Sequence, residues 1–186
     1  MPAITSSAFP EHTLETAPAA ARRTMEAVAK RSGYLPSAVA RLATSPQLLD
    51  GFLKISAIFE STTLDPLSRE VVIMTMATRN DCHICVAMHT AKLTALGADG
   101  ELIAALRDDR TPTLPDERLE AVRQFTLDVL ATSGAVDDAS LQSFQAHGYT
   151  PQNALEVVLG IGAYTMSTLA NRLTGAPVDA QMAAFV

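Results

Sequence analysis

Residues 70–89 read EVVIMTMATRNDCHICVAMH. The run from Val71 to Ala77 is apolar nearly all round, which predicts a helix buried on every side. Asn80 and Asp81 break that helix. The next is expected to run from Cys82 to about Leu96, capped by Asp81 and stopped by Gly97. At 3.6 residues per turn, Cys82, Cys85 and His89 then fall within an arc of about 60°. Cys85 and His89 are four apart and meet directly. If the two helices pack antiparallel, Glu70 of the first reaches His89 of the second.

Working outward, the same helical grammar recurs. Asp65-Pro66 and Ser45-Pro46 each read as a cap followed by a first-turn proline. The helix opened by Ser45 carries Phe52, Ile55 and Phe59. A short stretch from Ser37 to Leu42 precedes it, and a helical segment from Leu14 is stopped by Gly33. Downstream, residues 99–107 make a short helix, and RDDRTPTLPDE is a polar loop. Pro115-Asp116-Glu117 opens a helix with Leu119, Val122, Phe125, Val129 and Leu130 on one stripe. Leu141 and Phe144 mark another helix, ending near Gly148. Thr150-Pro151 starts the last long one, through Leu155, Val158, Ile161, Tyr164 and Leu169, with Asn171 and Thr174 as a C-terminal cap. No alternating strand pattern appears. The fold expected is all-α, a single-domain helical bundle over residues 11–186 preceded by a loose arm over 1–10.

Of 186 residues, 48% are hydrophobic and 18% charged, enough apolar surface to bury a sizeable core. Fourteen Lys and Arg against 20 Asp and Glu give a formal net charge of -6 with no basic block. This argues against nucleic acid and anionic membranes as partners. No apolar run is long enough to span a bilayer, and no signal peptide opens the chain, so a cytoplasmic protein is expected. Neither G-x-G-x-x-G nor a phosphate loop is present, and no cofactor is expected. The methionines, including Met74, Met76 and Met88, read as core filler. His12 and His147 read as surface residues.

Cys82 and Cys85 are the entire thiol inventory. Two cysteines cannot form a disulfide framework for this length, and C-x-x-C spacing points to redox or metal chemistry. At a helix start, free N–H groups favour a thiolate, which singles out Cys82. An adjacent imidazole activates a thiol, which singles out Cys85. A Glu70 carboxylate would orient His89 as the third member of a relay. Such a set can reduce a peroxide. A thiolate attacks the O–O bond, the resulting sulfenic acid condenses with the second thiol, and a dithiol donor reduces the disulfide. The same pair also suits a general dithiol–disulfide oxidoreductase or redox sensor. A zinc site would need four ligands, and Cys82, Cys85, His89 and His83 on one helix wrap a tetrahedral ion poorly, His83 facing about 100° away. Read alone, Glu70 would be a solvated residue or a partner of Arg69.

The segment PLSRE, the apolar run after it, and NDCHICVAMHTAKLTALG together resemble the carboxymuconolactone decarboxylase-like superfamily, and more closely its alkyl hydroperoxidase D (AhpD-like) branch. The match is tight over about residues 66–107, with a looser echo in YTMSTLANRLTGAPVD. The decarboxylase branch lacks the cysteine pair. The resemblance implies an AhpD-like all-helical bundle assembling into trimers or hexamers. It also implies thiol peroxidase activity toward hydrogen peroxide or organic hydroperoxides, with a lipoyl-type or thioredoxin-like dithiol as reductant. Carried over residue by residue, it makes Cys85 the attacking sulfur, Cys82 the resolving one, His89 the proton relay and Glu70 its support. The best-known members have a histidine immediately before the second cysteine. Here Ile84 stands there, with His83 one position earlier.

Overall fold

The computed structural model describes residues 8–108 and 113–186, and the described residues contain helices and no strand. The order is α1 (Ala19–Ser32), α2 (Ser37–Leu42), α3 (Pro46–Glu60), α4 (Pro66–Arg79), α5 (His83–Ala95), α6 (Gly100–Arg107), α7 (Glu117–Thr132), α8 (Asp138–Ala146) and α9 (Pro151–Thr174). A terminal 3-10 helix, Ala180–Phe185, closes the chain. The fold is all-α, as expected. The expected arm lies outside the described residues as far as residue 7, as does the loop at 109–112.

Most helix starts are made by the residues that signal them. Ser45, Asp65, Asp99, Asp116 and Asp137 each accept the backbone N–H three residues on. Thr150 and Asn153 close a reciprocal capping box behind Pro151. The first helix is an exception. It starts at Ala19 rather than near Leu14, because Thr13 and Thr16 each accept the other's backbone N–H through a hydroxyl. These side chains hold a turn that competes with helical bonding.

α4 is the central element, and residues 70–77 are all buried. It packs against α9, α5 and α7, while α9 also packs against α3. The largest core cluster runs from Phe59 through Val71–Met74 to Phe125 and Phe144. A second, built on Met25, Leu42 and Leu49, seats α1 and α2 against α3 and Ala170 of α9. A third is small and surrounds the cysteines. Ala38, Ala77 and Ile84 pack with Cys82 and Cys85, and Ala176 and Val178 of the C-terminal segment pack onto them. That segment is tied down at two points. The Asp179 carboxylate accepts the Ser37 N–H, and Arg107 donates to the Phe185 carbonyl and to Thr90 on α5. Met74 and Met76 are core residues, as expected; Met88 is not, being 43% exposed beside the cavity described below. No described helix is long and apolar enough to cross a membrane.

The crossing of α9 over α3 and α4 requires a glycine. A Cβ at Gly160 would lie 2.7 Å from the Phe59 ring and 3.0 Å from Val72, whereas one at Gly162 would meet nothing within 4 Å. Phe59 is fully buried, so a shift of its ring must displace packed neighbours. Gly160→Ala is therefore expected to be less stable than Gly162→Ala by about 1–3 kcal/mol, because both gain helix propensity and only the first overpacks. Paired denaturant titrations of the two variants measure this difference; equal midpoints would contradict it.

Candidate active site

The site is assembled from α4, the turn after it, α5 and α9. At the end of α4 the backbone reverses through Asp81, whose φ is 51°, a left-handed conformation that Asp tolerates better than most residues. Arg172 of α9 pins this turn. Its guanidinium donates to the Asn80 and Asp81 carbonyls at 2.8 and 2.6 Å and pairs with the Asp81 carboxylate at 2.7 Å. The expectation that Asp81 caps α5 is thus corrected. Its left-handed backbone and its pairing with Arg172 turn it away from that role. Cys82 occupies the N-cap position, and the helix begins at His83.

Cys82 and Cys85 come together. Their sulfurs are 2.6 Å apart, both thiols are free, and both are buried. Contact with the Cys85 thiol lowers the pKa of Cys82 against the opposing effect of burial; the Cys85 backbone N–H, Asn171 and Arg172 add to the lowering. Contact with Cys82 and burial together push the Cys85 thiol up. In the resting dithiol the negative charge therefore favours Cys82, in line with its place at the helix start.

Glu70 and His89 also meet. Nineteen residues apart, they lie on antiparallel neighbours, with His89 Nδ1 2.7 Å from Glu70 Oε2. Glu70 is 1% exposed and makes no ion pair with Arg69, which donates instead to the Thr62 and Leu64 carbonyls. A carboxylate can only accept, so Nδ1 carries the hydrogen and Nε2 is left to take a proton. The edge of the Tyr164 ring fixes the imidazole plane, at 5.5 Å between centroids and 84° between planes. Burial would raise the Glu70 carboxyl, but His89 and Lys92 outweigh it and hold it below its ordinary value.

Several participants were not read from the sequence as part of the site. Lys92 pairs with Glu70 Oε1 at 3.0 Å and also with Glu60. Burial would lower its ammonium, but these two carboxylates hold it above its usual value. It follows Cys85 and His89 at i+7 on one face of α5, which is the signal that would have found it. Asn171, expected as a C-terminal cap, points its side chain elsewhere. Its Nδ2 donates to Cys85 Sγ at 3.4 Å, while the α9 terminus is closed by Gly175 at φ 62°. Ser167 also favours the Cys85 thiolate. Tyr164, Ser167 and Asn171 share one face of α9, and polar residues at that spacing on a core-facing stripe were the available clue. Burial pushes the Tyr164 hydroxyl up to about 12. His83 projects into solvent beside Asp81, 3.6 Å from its carboxylate. His12 and His147 lie away from the site, bonded to Thr44 and to the Ser143 carbonyl. Among the described residues, no group of three or more His, Cys, Asp or Glu is arranged to hold a metal.

Cys85, His89, Lys92, Tyr164 and Asn171 border one cavity of about 260 Å³. Most of its remaining wall comes from α1–α3 and is largely apolar, including Val39, Leu42, Leu49, Phe52 and Leu53, with Met88 of α5 and Ser167 of α9 beside them. A small organic molecule entering it would meet the Cys85 sulfur among carbon side chains.

Residues 46–128 match the model of the carboxymuconolactone decarboxylase family. Among curated proteins none matches the chain. Several solved structures share its fold. An uncharacterized peroxidase-related protein from Ralstonia eutropha JMP134, described as an alkylhydroperoxidase AhpD core, superposes with a TM-score of 0.82 at 20% identity, covering 94% of this chain and 93% of that one. A peroxidase-related protein from Silicibacter sp. TM1040 gives 0.78 at 18% identity, covering 94% and 91%. The debrominase Bmp8, in complex with 2,3,4-tribromopyrrole, gives 0.69 at 13% identity, covering 88% and 87%. The central segment of the chain is thus similar to the carboxymuconolactone decarboxylase family, and its all-helical fold is that of the AhpD core.

Proposed function

We propose that the protein is a thiol-dependent peroxidase that reduces hydroperoxides through a Cys82–Cys85 dithiol/disulfide cycle. The observation that carries this reading is the pair of buried sulfurs 2.6 Å apart, in a site that also holds the His89–Glu70 pair at 2.7 Å. In this reading Cys85, which faces the apolar cavity, is the attacking sulfur. Its proton passes to His89 Nε2 or to the adjacent Cys82 sulfur. The Cys85 thiolate attacks the distal oxygen of ROOH, the O–O bond breaks, and the departing alkoxide takes a proton to leave as ROH. Cys85 is now a sulfenic acid. The Cys82 thiolate attacks its sulfur, the disulfide forms, and hydroxide leaves as water with a proton returned by His89. A dithiol donor supplies two electrons and two protons to restore the pair.

Glu70 keeps His89 in the tautomer this needs and stabilises the imidazolium when it forms. Lys92 holds the other Glu70 oxygen, so the carboxylate cannot turn from the ring. The Asn171 N–H steadies negative charge on Cys85. The reductant is a dithiol, lipoyl-type or thioredoxin-like, and we place the protein in the cytoplasm. Leu155, Val158, Leu169 and Leu173 form an exposed apolar stripe along α9, which supports assembly of several copies.

A coupled assay with dihydrolipoamide and either hydrogen peroxide or an organic hydroperoxide tests the reading. Multiple turnovers per dithiol site are expected, with organic hydroperoxides preferred because the cavity wall is apolar. If peroxide leaves both thiols reduced while a protein disulfide oxidises them rapidly, the protein is instead a dithiol–disulfide oxidoreductase.

A further inference from the structure

The two sulfurs border different openings. Cys85 lines the apolar cavity, and Cys82 does not. Cys82 lines a separate cleft of about 250 Å³, together with Asp81, His83, Arg172, Gly175 and Ala176, and Cys85 does not. Asn171 borders both and stands between them. It is 6% exposed, its Nδ2 is directed at Cys85, and its buried Oδ1 has no protein partner.

We infer that the two substrates use opposite doors: the hydroperoxide reaches Cys85 through the cavity walled by α1–α3, and the reducing dithiol reaches Cys82 through the cleft at the C-terminal end of α9. The inference rests on the peroxidase reading and adds where each reactant enters and which sulfur the reductant attacks.

Access is one of the factors that decide which sulfur of a disulfide is attacked. A thiolate entering the cleft meets Cys82. It forms a mixed disulfide with Cys82 and breaks the Cys82–Cys85 bond, expelling the Cys85 thiolate. That leaving thiolate accepts the Asn171 N–H and then a proton from the imidazolium or water. The second thiol of the reductant attacks the reductant's own sulfur in the mixed disulfide. This releases Cys82 as a thiolate and the reductant as a cyclic disulfide, so two electrons move from dithiol to protein. Cys82 is 1% exposed and therefore sits at the bottom of its cleft. Of the two reductant types named above, this depth favours the slender lipoyl-type arm over the thioredoxin-like protein. Ala176 stands at the cleft on the segment that packs over the cysteines, so reductant access depends on the C-terminal residues. Separate doors also let a reductant approach while the apolar cavity still holds the alcohol product.

The test begins with the wild-type protein. The disulfide is installed with diamide, exposed briefly to excess 2-mercaptoethanol, quenched with acid, and the mixed disulfide is mapped by mass spectrometry. It is expected on Cys82; a mixed disulfide on Cys85 overturns the inference. The second arm compares half-reaction rates in two variants. Ala176→Trp, which fills the cleft, is expected to lower the ratio of reduction rate (by dithiothreitol) to oxidation rate (by cumene hydroperoxide) about tenfold or more. Leu53→Trp, which fills the cavity, is expected to raise the same ratio by a similar factor. Ratios that move together, or not at all, in variants with native circular dichroism overturn it. Diamide needs no peroxide, so the mapping judges the cleft even if peroxide oxidises nothing. That last outcome overturns the peroxidase reading and the cavity half of the inference, and leaves the cleft assignment to stand on its own mapping.

Discussion

Cys85→Ser is expected to abolish peroxide consumption, with turnover falling at least about 10³-fold, because removing the nucleophile of a concerted unit costs nearly as much as removing the unit. Cys82→Ser is expected to lose turnover too, but to keep a single oxidation. Its Cys85 would accumulate as a sulfenic acid, trapped by dimedone, and would move on to sulfinic acid with excess peroxide. The two variants separate two physical effects that oppose each other in this site. Acidity favours Cys82, whose thiolate is stabilised by the Cys85 thiol and the helix start. Access favours Cys85, which borders the apolar cavity along with His89. Access is expected to prevail. The fraction of thiolate is only one factor in the rate, and a thiolate of lower pKa is also the weaker nucleophile. Cys82 can return its charge by taking the proton of the sulfur 2.6 Å away. A dimedone adduct on Cys82 in the Cys85→Ser variant, formed as fast as in the reciprocal variant, would reverse the assignment.

Glu70→Gln should reduce turnover by about 10²–10⁴, the range spanned by general acid–base groups, without removing either thiol. The amide can still accept from His89 Nδ1, but it brings no negative charge to stabilise the imidazolium. The effect also has a signature in stability. The Glu70 carboxyl is held below its ordinary value of 4.5, since His89 and Lys92 outweigh burial. A depressed folded-state pKa contributes stability that is present above the unfolded value and is lost as pH falls through the folded one. Wild-type protein should therefore lose this contribution progressively below about pH 4.5. The variant should lack that part of the acid limb and be weaker at neutral pH by about 1–3 kcal/mol, the cost of poorly satisfied partners of a buried group. Denaturant midpoints across pH 3 to 7 read the difference, and it should narrow as the medium becomes acidic. If the two proteins keep a constant gap down to the lowest pH, the ion pair is not the source of the loss. If Glu70→Gln turns over normally, Glu70 supports the fold and not the reaction.

Much of this architecture is written in local residue chemistry. The starts at Ser45, Asp65, Asp99, Asp116, Asp137 and Thr150 are set by short-range bonds between a side-chain oxygen and an N–H three residues on. Such bonds can be anticipated without knowing what the helix packs against. The start of α1 is the instructive failure. There, two threonines bond each other's backbone and delay the helix to Ala19, a competition that helical periodicity does not register. The Asp81 cap failed for a different reason. Cap chemistry was present, but Arg172, ninety-one residues further along the chain, holds that carboxylate and both adjoining carbonyls.

Within the site the same division holds. That Cys82, Cys85 and His89 share a helix face follows from their spacing alone, because a helix has one period wherever it occurs. The burial of Glu70 against His89 follows from an apolar α4 beside an antiparallel α5, and so was foreseeable once those two helices were. Lys92 on Glu70, Asn171 on Cys85 and Tyr164 on His89 depend instead on how helices far apart in the chain cross, and at Gly160 that crossing turns on the absence of one methyl group. The residues by themselves determined that this protein carries a dithiol beside an imidazole on an all-helical frame. Only the packing of α9 and the C-terminal segment against α5 decided that the two sulfurs open onto different spaces. Periodicity governs which way a side chain leaves its own helix, and only the neighbouring surfaces govern what it meets.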